Sequence, residues 1–498
     1  MMATLVMGVD SSTQSCKVEL RDAYDGRLVG HGKGPHPPTH PPKSEQYTSD
    51  WWDALVKATH QAIDGLQPGY RAEDVSAVSI SAQCHGLVML DQDNAVIRKV
   101  KLWNDTTTSP QNDELIRTIG RKEWIHLTGS LPTSSFTASK VAYMARKEPE
   151  IWKRAKTVML PHDYLTFRLT GRYTTDRSDA SNTAYYDSLH GRYLPEVFNA
   201  AVGGKGPQFE DITFPEVLGP EQSAGILQKA PAQELGLRPG IVIGPGGGDQ
   251  EVSSLGLGIL PGDLALSLGT SGVTFTASQQ PVYDENGLVS GVADAAGGWL
   301  PLTCVLNCAK AFGVVASWLG VDLQELNVLA SKAATNADRP IFVAYLDGER
   351  TPDLPLATAS IDGLTSDTTR ESLALALIEG IALGMDSGRR FMIDAGVNLD
   401  GTIVATGGAI HSPAFLQALA DFMGQSIYGT DVEQAVARGA TIQAAAVLRD
   451  EKVTKIRDDW KPKRTELATP RPLAVTHADE IIQRYRIASQ WRGMDRKE

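Results

Sequence analysis

The sequence predicts an α/β protein in two parts, with a ligand crevice where its strands end. Three observations carry that reading. Apolar runs at four places stop in turns rich in glycine or hydroxyl side chains. Strand and helix patterns alternate along residues 1–250 and again beyond residue 255. At 498 residues the chain is also too long for a single hydrophobic core.

In chain order, Met1–Val9 reads as a strand delivering Asp10, followed by Ser11, Ser12 and Thr13. Cys16–Arg21 reads as the return strand, which carries Lys17. Gly30–Glu45, rich in Pro, His and Gly, reads as a loop; the spacing of its His31, His36 and His40 fits no usual metal site. Trp51, Leu55, Ala58, Ala62 and Leu66 recur at helical spacing, with Thr48 or Ser49 as cap. Val75–Ile80 reads as a strand, and residues 187–222 as an irregular connection. Ile241–Ile243 is an apolar strand ending in Gly244-Pro245-Gly246-Gly247-Gly248, which presents Asp249 and Gln250 at a strand end. Gly-Gly-Asp is also ordinary turn chemistry, so the other turns carry weight.

The second half repeats the plan. Leu264–Leu268 runs into Gly269, Thr270 and Ser271 and returns; Ile403–Ala405 ends in Thr406-Gly407-Gly408. Asp10–Lys17 and Leu268–Val273 stand at matching places, a faint echo of a duplicated unit. Leu373–Ile393 reads as a long buried helix with Gly380 and Gly384 on one face. Ser412-Pro413 starts another helix as N-cap and N1, and Gly424 ends it. Residues 449–498 read as a charged appendage with a last helix, Ala478–Trp491. Turn amides and hydroxyls of these kinds suit phosphate oxygens. A P-loop and a good dinucleotide fingerprint are both absent.

Two such hairpins in separate halves, an aspartate between them and a later Gly-Gly resemble the actin/hexokinase-type fold. That resemblance implies two ribonuclease-H-like domains with an interdomain active-site cleft. Within the fold, the chain resembles the FGGY family of carbohydrate kinases over roughly residues 5–448. Ser81-Ala82-Gln83-Cys84-His85-Gly86 looks like the family's sugar-side Gln-Met-His-Gly segment, and Trp103-Asn104-Asp105 matches its Trp-Asn-Asp. Glu433–Ala440 is similar to a late helix near the nucleotide. The chain departs from the pattern at Ser12, often glycine; at Cys84, usually methionine; at Thr106-Thr107, often Gly-Arg; and at Gln250, where Asp-Gln is similar to glycerol kinases.

The resemblance implies residues 1–250 as a sugar-side domain with the first phosphate loop, and 251–448 as a nucleotide-side domain. It implies ATP and Mg²⁺, with Asp249 as base on a sugar hydroxyl and Asp10 holding the ion through water. Ser11, Ser12, Thr13 and Lys17 would face the moving phosphoryl group, and Gly269, Thr270 and Ser271 the nucleotide phosphates. Gly313, Ser317, Gly407, Gly408 and Ser412 would surround the nucleoside. Gln83, Cys84, His85, Trp103, Asn104, Asp105, Asp249 and Gln250 would bind an open-chain ketose. D-Xylulose, phosphorylated at its 5-hydroxyl in D-xylose catabolism, is the leading acceptor, with ribulose, another ketose or polyol, and glycerol as alternatives. A non-catalytic sugar or nucleotide sensor would not need Asp249. An ATPase acting on protein partners would not need the segments at 83–86 and 103–105.

Bulk properties agree with an enzyme of small molecules. A formal net charge of -12 disfavours nucleic acid and anionic membranes as partners. No basic leader with an apolar core opens the chain, and no stretch of about 18 apolar residues offers a membrane span. Four cysteines make no disulfide scaffold and fit a reducing, cytoplasmic setting. Cys304 and Cys308 are expected on one helix face as small apolar residues. A homodimer stays open as the assembly.

Overall fold

The computed structural model describes residues 4–490. Each half is built on a seven-stranded sheet. The first runs Gly225–Ile226, Val242–Ile243, Val75–Ala82, Leu5–Ser11, Ser15–Asp22, Leu28–Pro35, with Gly247–Gly248 also pairing with Val75–Ala82. Leu5–Ser11 is buried along its whole length, so it shows an apolar run instead of alternation. The second sheet runs Ser290–Ala293, Trp299–Val305, Gly272–Phe275, Leu264–Leu268, Ile403–Thr406, Ile427–Thr430, Arg464–Ala468.

From Leu28–Pro35 in the first sheet, neighbouring pairs are antiparallel, antiparallel, parallel, parallel and antiparallel. From Trp299–Val305 in the second, the series is the same. The echo between the two strand turns is thus the visible trace of a repeated sheet. The repeat also revises the reading of the C-terminal appendage. Arg464–Ala468 occupies the last place of the second sheet, and Ile481, Ile482 and Tyr485 lie in that half's core. Among the described residues, no helix is long and apolar enough to cross a membrane.

Several local expectations are corrected. Gly30–Pro35 is strand, not loop. Gly30, Gly32 and Gly34 alternate toward one face, where the carbonyls of Ala62, Ala58 and Ala54 on the helix Thr48–Asp64 come so close that any Cβ would overlap them. The glycines that look like loop punctuation are the seat of a helix. That helix begins at Thr48 with Tyr47 as its cap residue, so Thr48 and Ser49 lie inside it. His36 is buried with Nδ1 2.8 Å from the Ser12 carbonyl, while His31 is exposed on the strand. Residues 187–222 hold a hairpin, a helix Pro195–Val202 and a strand Glu216–Leu218. Tyr185, Tyr193, Phe198, Phe209 and Phe214 gather there into an aromatic cluster that follows no periodic pattern. Cys304 lies on the strand Trp299–Val305 and Cys308 caps the next helix, so the two share no helix face. Among the described residues the last helix is Pro472–Ala488; Trp491 and Met1–Ala3, expected in the last helix and the first strand, lie outside the described residues. The long helix is Arg370–Asp394, and the helix from Ser412-Pro413 ends at Gly424 in the left-handed conformation.

The halves meet where Asp249–Leu257 crosses Ala435–Arg449. A Cβ on Gly256 would overlap the Ala435 carbonyl, and one on Gly439 the Val252 carbonyl, so no side chain separates the helices there. Ala440, Ala444 and Ala445 continue this small-residue face against Val6, Ala77 and Val252. Arg438 is sunk beside it and donates to the carbonyls of Gly256 and Trp460. Gly439→Ala should destabilise the fold by about 1–3 kcal/mol, since overpacking outweighs the helix propensity gained. Gly384→Ala is the contrast, because its Cβ would meet only the Tyr485 hydroxyl at 3.7 Å. It should raise stability by up to about 1 kcal/mol in urea unfolding.

Candidate active site

The glycine turn delivers Asp249 by backbone pairing. Val242–Ile243 lies parallel to Ala77–Val78, and Gly247–Gly248 pairs with Ser81–Ala82. Gly246 has φ +81° and packs against the Ile80 carbonyl and the His162 ring, leaving no room for a Cβ. Asp249 then opens its helix just past the sheet edge, and Cys84 leaves the neighbouring strand at the same level. Both line a cavity of about 300 Å³ between the halves. Burial and the Asp10 carboxylate push Asp249 up to about 7, which suits a general base near neutral pH.

Asp10 ends the first strand, almost fully buried. Its Oδ2 lies 3.0 Å from Lys17 Nζ, and Ser12 Oγ donates to its other oxygen. Thr13 Oγ1 donates to Gln83 Oε1 at 3.0 Å and accepts from Trp103 Nε1 at 2.8 Å. Gln83 Nε2 in turn donates to Gln46 at 3.1 Å. Gln83 is 1% exposed, so it braces the loop from behind and does not wall the cavity. Thr13 and Trp103 do.

His85 sits at φ +67°, a conformation that strains most non-glycine residues. Its ring packs 4.7 Å from Phe136, and its Nδ1 lies 2.9 Å from the Asn182 carbonyl. Only an N–H at Nδ1 makes that contact favourable. Burial, with help from Lys140, pushes His85 down to about 4, so the ring is neutral and Nε2 is an acceptor.

Trp103-Asn104-Asp105 divides in its roles. Trp103 faces the cavity with the Arg350 guanidinium 5.6 Å from its ring. Asp105 does not face it. It is completely buried and accepts from Ser44 N at 3.0 Å, Lys101 Nζ at 3.1 Å and Thr107 N at 3.0 Å. It is a buried anchor of the loop, a correction to its reading as a sugar contact. Asn104 is also off the cavity wall, its side-chain oxygen buried without a hydrogen-bond partner.

On the opposite side, Gly269, Thr270 and Ser271 form the turn between paired strands; Ser271 reaches the cavity. The Gly269 carbonyl accepts from Ala309 N, tying this turn to the start of the helix Ala309–Leu319. Gly313 on that helix and Gly408 both border open space, whereas Gly407, at φ +97°, packs against the Leu268 backbone. Ser412 Oγ donates to Asn327 at 2.8 Å, and Ser317 Oγ to the Val314 carbonyl at 2.7 Å. Ser11, also buried, pairs with Cys16 in the first hairpin.

Sequence reasoning passed over three cavity residues. Glu251 lies two positions after Asp249, and burial and Asp179 push it up to about 8. Asn182 donates to Glu251 at 2.9 Å. Arg350 reaches across from the second half and donates to Cys304 Sγ at 3.3 Å. A second carboxylate beside Asp249 and the turn Gly348-Glu349-Arg350-Thr351-Pro352 were the available signals; Asn182, in a serine-rich stretch, offered none.

A carboxylate near neutrality, a neutral acceptor ring and two phosphate-type turns around one cavity suit phosphoryl transfer to a hydroxyl. Comparison with known proteins agrees. Residues 5–256 match the model for the N-terminal domain of the FGGY family of carbohydrate kinases, and residues 264–448 the model for its C-terminal domain. A xylulose kinase of Streptomyces rubiginosus is 36% identical over 96% of this chain and 95% of its own. One of Streptomyces coelicolor is 37% identical over 92% and 90%. The crystal structure of xylulose kinase from Bifidobacterium adolescentis superposes with a TM-score of 0.85 at 36% identity, covering 96% of this chain and 99% of that one. The chain belongs to the FGGY family of carbohydrate kinases.

Proposed function

We propose that this kinase transfers the γ-phosphoryl group of magnesium-bound ATP to the 5-hydroxyl of D-xylulose. The observation that carries it is Asp249, whose carboxyl is pushed up to about 7 on a cavity it shares with His85, Trp103, Asn182 and Gln250. Relatives bearing the name xylulose kinase support the choice of sugar. Asp249 takes the hydroxyl proton as the sugar oxygen bonds to the γ-phosphorus and the bond to the β-phosphate oxygen breaks, leaving ADP. Nε2 of His85 accepts from a second sugar hydroxyl, and Trp103 supplies an apolar wall. Asp10, a hard oxygen donor next to Lys17, fits a largely hydrated Mg²⁺ carried in on the nucleotide phosphates; that ion supplies charge neutralisation.

Coupled ADP release with a panel of D-xylulose, ribulose, other ketoses and glycerol tests the acceptor. A clear kcat/KM preference for another sugar would replace D-xylulose in this reading. Asp249→Asn should lower turnover by about 10² to 10⁴-fold while nucleotide binding survives. In the parent enzyme, kcat/KM should fall as pH drops below about 7, since the base works only when deprotonated. Near-normal turnover of Asp249→Asn on its best sugar would refute the assignment.

His85→Asn keeps a residue tolerant of the left-handed backbone but withdraws the ring acceptor. It should cost about 1–3 kcal/mol in sugar kcat/KM and leave ATP affinity unchanged. Equal loss in both, read by titration calorimetry and kinetics, would make His85 a structural residue.

A further inference from the structure

Behind Asp249 lies a buried polar chain that the transfer reaction does not itself use. Cys84 Sγ sits 3.4 Å from Asp249 Oδ1 and 3.5 Å from Glu251 Oε2. Asn182 Nδ2 donates to Glu251 Oε1 at 2.9 Å and lies 3.6 Å from the same sulfur. Any Cβ on Gly248 would overlap Glu251 Oε2 and crowd Cys84 Sγ, so the glycine turn seals this cluster from above. Glu251 is 1% exposed and Cys84 7%.

A thiol has one hydrogen, so it can donate to only one of the two carboxyl groups that flank it. Asn182 fixes which oxygen of Glu251 faces away and leaves Oε2 toward the sulfur. With Glu251 protonated, its O–H donates to Sγ, and the S–H must turn to Asp249 Oδ1. With Glu251 ionised, the S–H turns to Glu251, and Asp249 loses its clamp while facing a second negative charge.

We infer that Glu251 is a positioning residue for the base: acting through Cys84, it holds Asp249 Oδ1 and leaves Oδ2 to the sugar hydroxyl only while Glu251 carries a proton. This rests on the reading of Asp249 as the base. The surroundings support it. Asp249 faces Glu251 from its own helix, Asp179 from the helix Arg177–Ser181 and Cys84 from the sheet edge. Asp179 is itself paired with His162, whose Nδ1 is 3.0 Å away. Burial opposes charge on His162, but Asp163, Asp179 and Asp176 hold it up to about 9, toward the alkaline end of the range tested for Glu251. Asp10 faces Asp249 from the first strand, and Arg350 lines the cavity from the other half. Glu251 is pushed up to about 8, chiefly by burial and then by Asp179, so its proton is present at neutral pH and is lost to solvent on the alkaline side.

The test compares parent, E251Q, C84A and the double variant C84A/E251Q from pH 6 to 9.5, with whichever sugar the parent turns over best. In E251Q the oxygen stays with Asn182, and the amide N–H donates permanently to Sγ. The parent's kcat should fall several-fold above about pH 8, while that of E251Q should not. In the C84A background the E251Q change should no longer alter the profile. An alkaline fall kept in E251Q, or an E251Q effect that persists without Cys84, would overturn the inference. A second reading needs no turnover: the S–H stretching band of Cys84, assigned by infrared difference against C84A. It should shift with pH across the same range in the parent and stay fixed in E251Q; a band that does not move in the parent refutes the relay. Failure of every sugar to react would overturn the proposed function, while the infrared result would still decide the role of Glu251.

Discussion

Everything in the cleft depends on two helices that touch backbone to backbone. Where Asp249–Leu257 crosses Ala435–Arg449, glycines at 256 and 439 leave only main chain between the axes. The first of these helices begins with Asp249, so the crossing and the glycine turn together set where the carboxylate stands. The second belongs in sequence to the second half yet packs on the first sheet. Asp249 is therefore held by the same contact that joins the halves, and a small change there moves this carboxyl and the geometry between the halves together.

A second constraint is electrostatic. Asp249 and Glu251 line the cavity with the Asp10 and Asp179 carboxylates nearby, and burial disfavours charge on Asp249 and Glu251. The protein answers in three ways. Lys17 pairs Asp10, His162 pairs Asp179, and a neutral thiol sits between the remaining two carboxyls. The last arrangement works because Cys84 has a hydrogen to share, which a thioether in its place would lack. Glu251 and Cys84 are intelligible as a pair more readily than apart.

Much of this was legible in the sequence. The strand turns at Asp10, Asp249, Gly269 and Gly408 were each visible as an apolar run broken by small residues, because buried strands and tight turns impose those residue types locally. What escaped depends on partners distant in the chain. Gly30, Gly32 and Gly34 look like loop residues until the helix at 48–64 is laid against them. Asp105 looks like a ligand until buried Lys101 and the amides of Ser44 and Thr107 are found around it. Asn182 and Arg350 reach the cavity through the fold alone, and the strand Arg464–Ala468 finds its sheet only through a pairing with Ile427–Thr430.

Trp103 and the loop Ser11–Thr13 are also one hydrogen-bonded unit. Thr13 Oγ1 is held by Trp103 on one side and Gln83 on the other, and Gln83 is braced by Gln46, whose amide also donates to the Thr13 carbonyl at 2.9 Å. The Thr13 hydroxyl cannot shift without moving the Trp103 indole. In the proposed reaction, a sugar settling against Trp103 would therefore also register this loop, while the Arg350 guanidinium of the opposite half approaches the same indole. In that reaction a lone water molecule, too small to touch the His85 and Trp103 sides together, would offer no such handle. In the proposed reaction, selection of a carbohydrate over water would draw on the same hydrogen bonds that shape the loop.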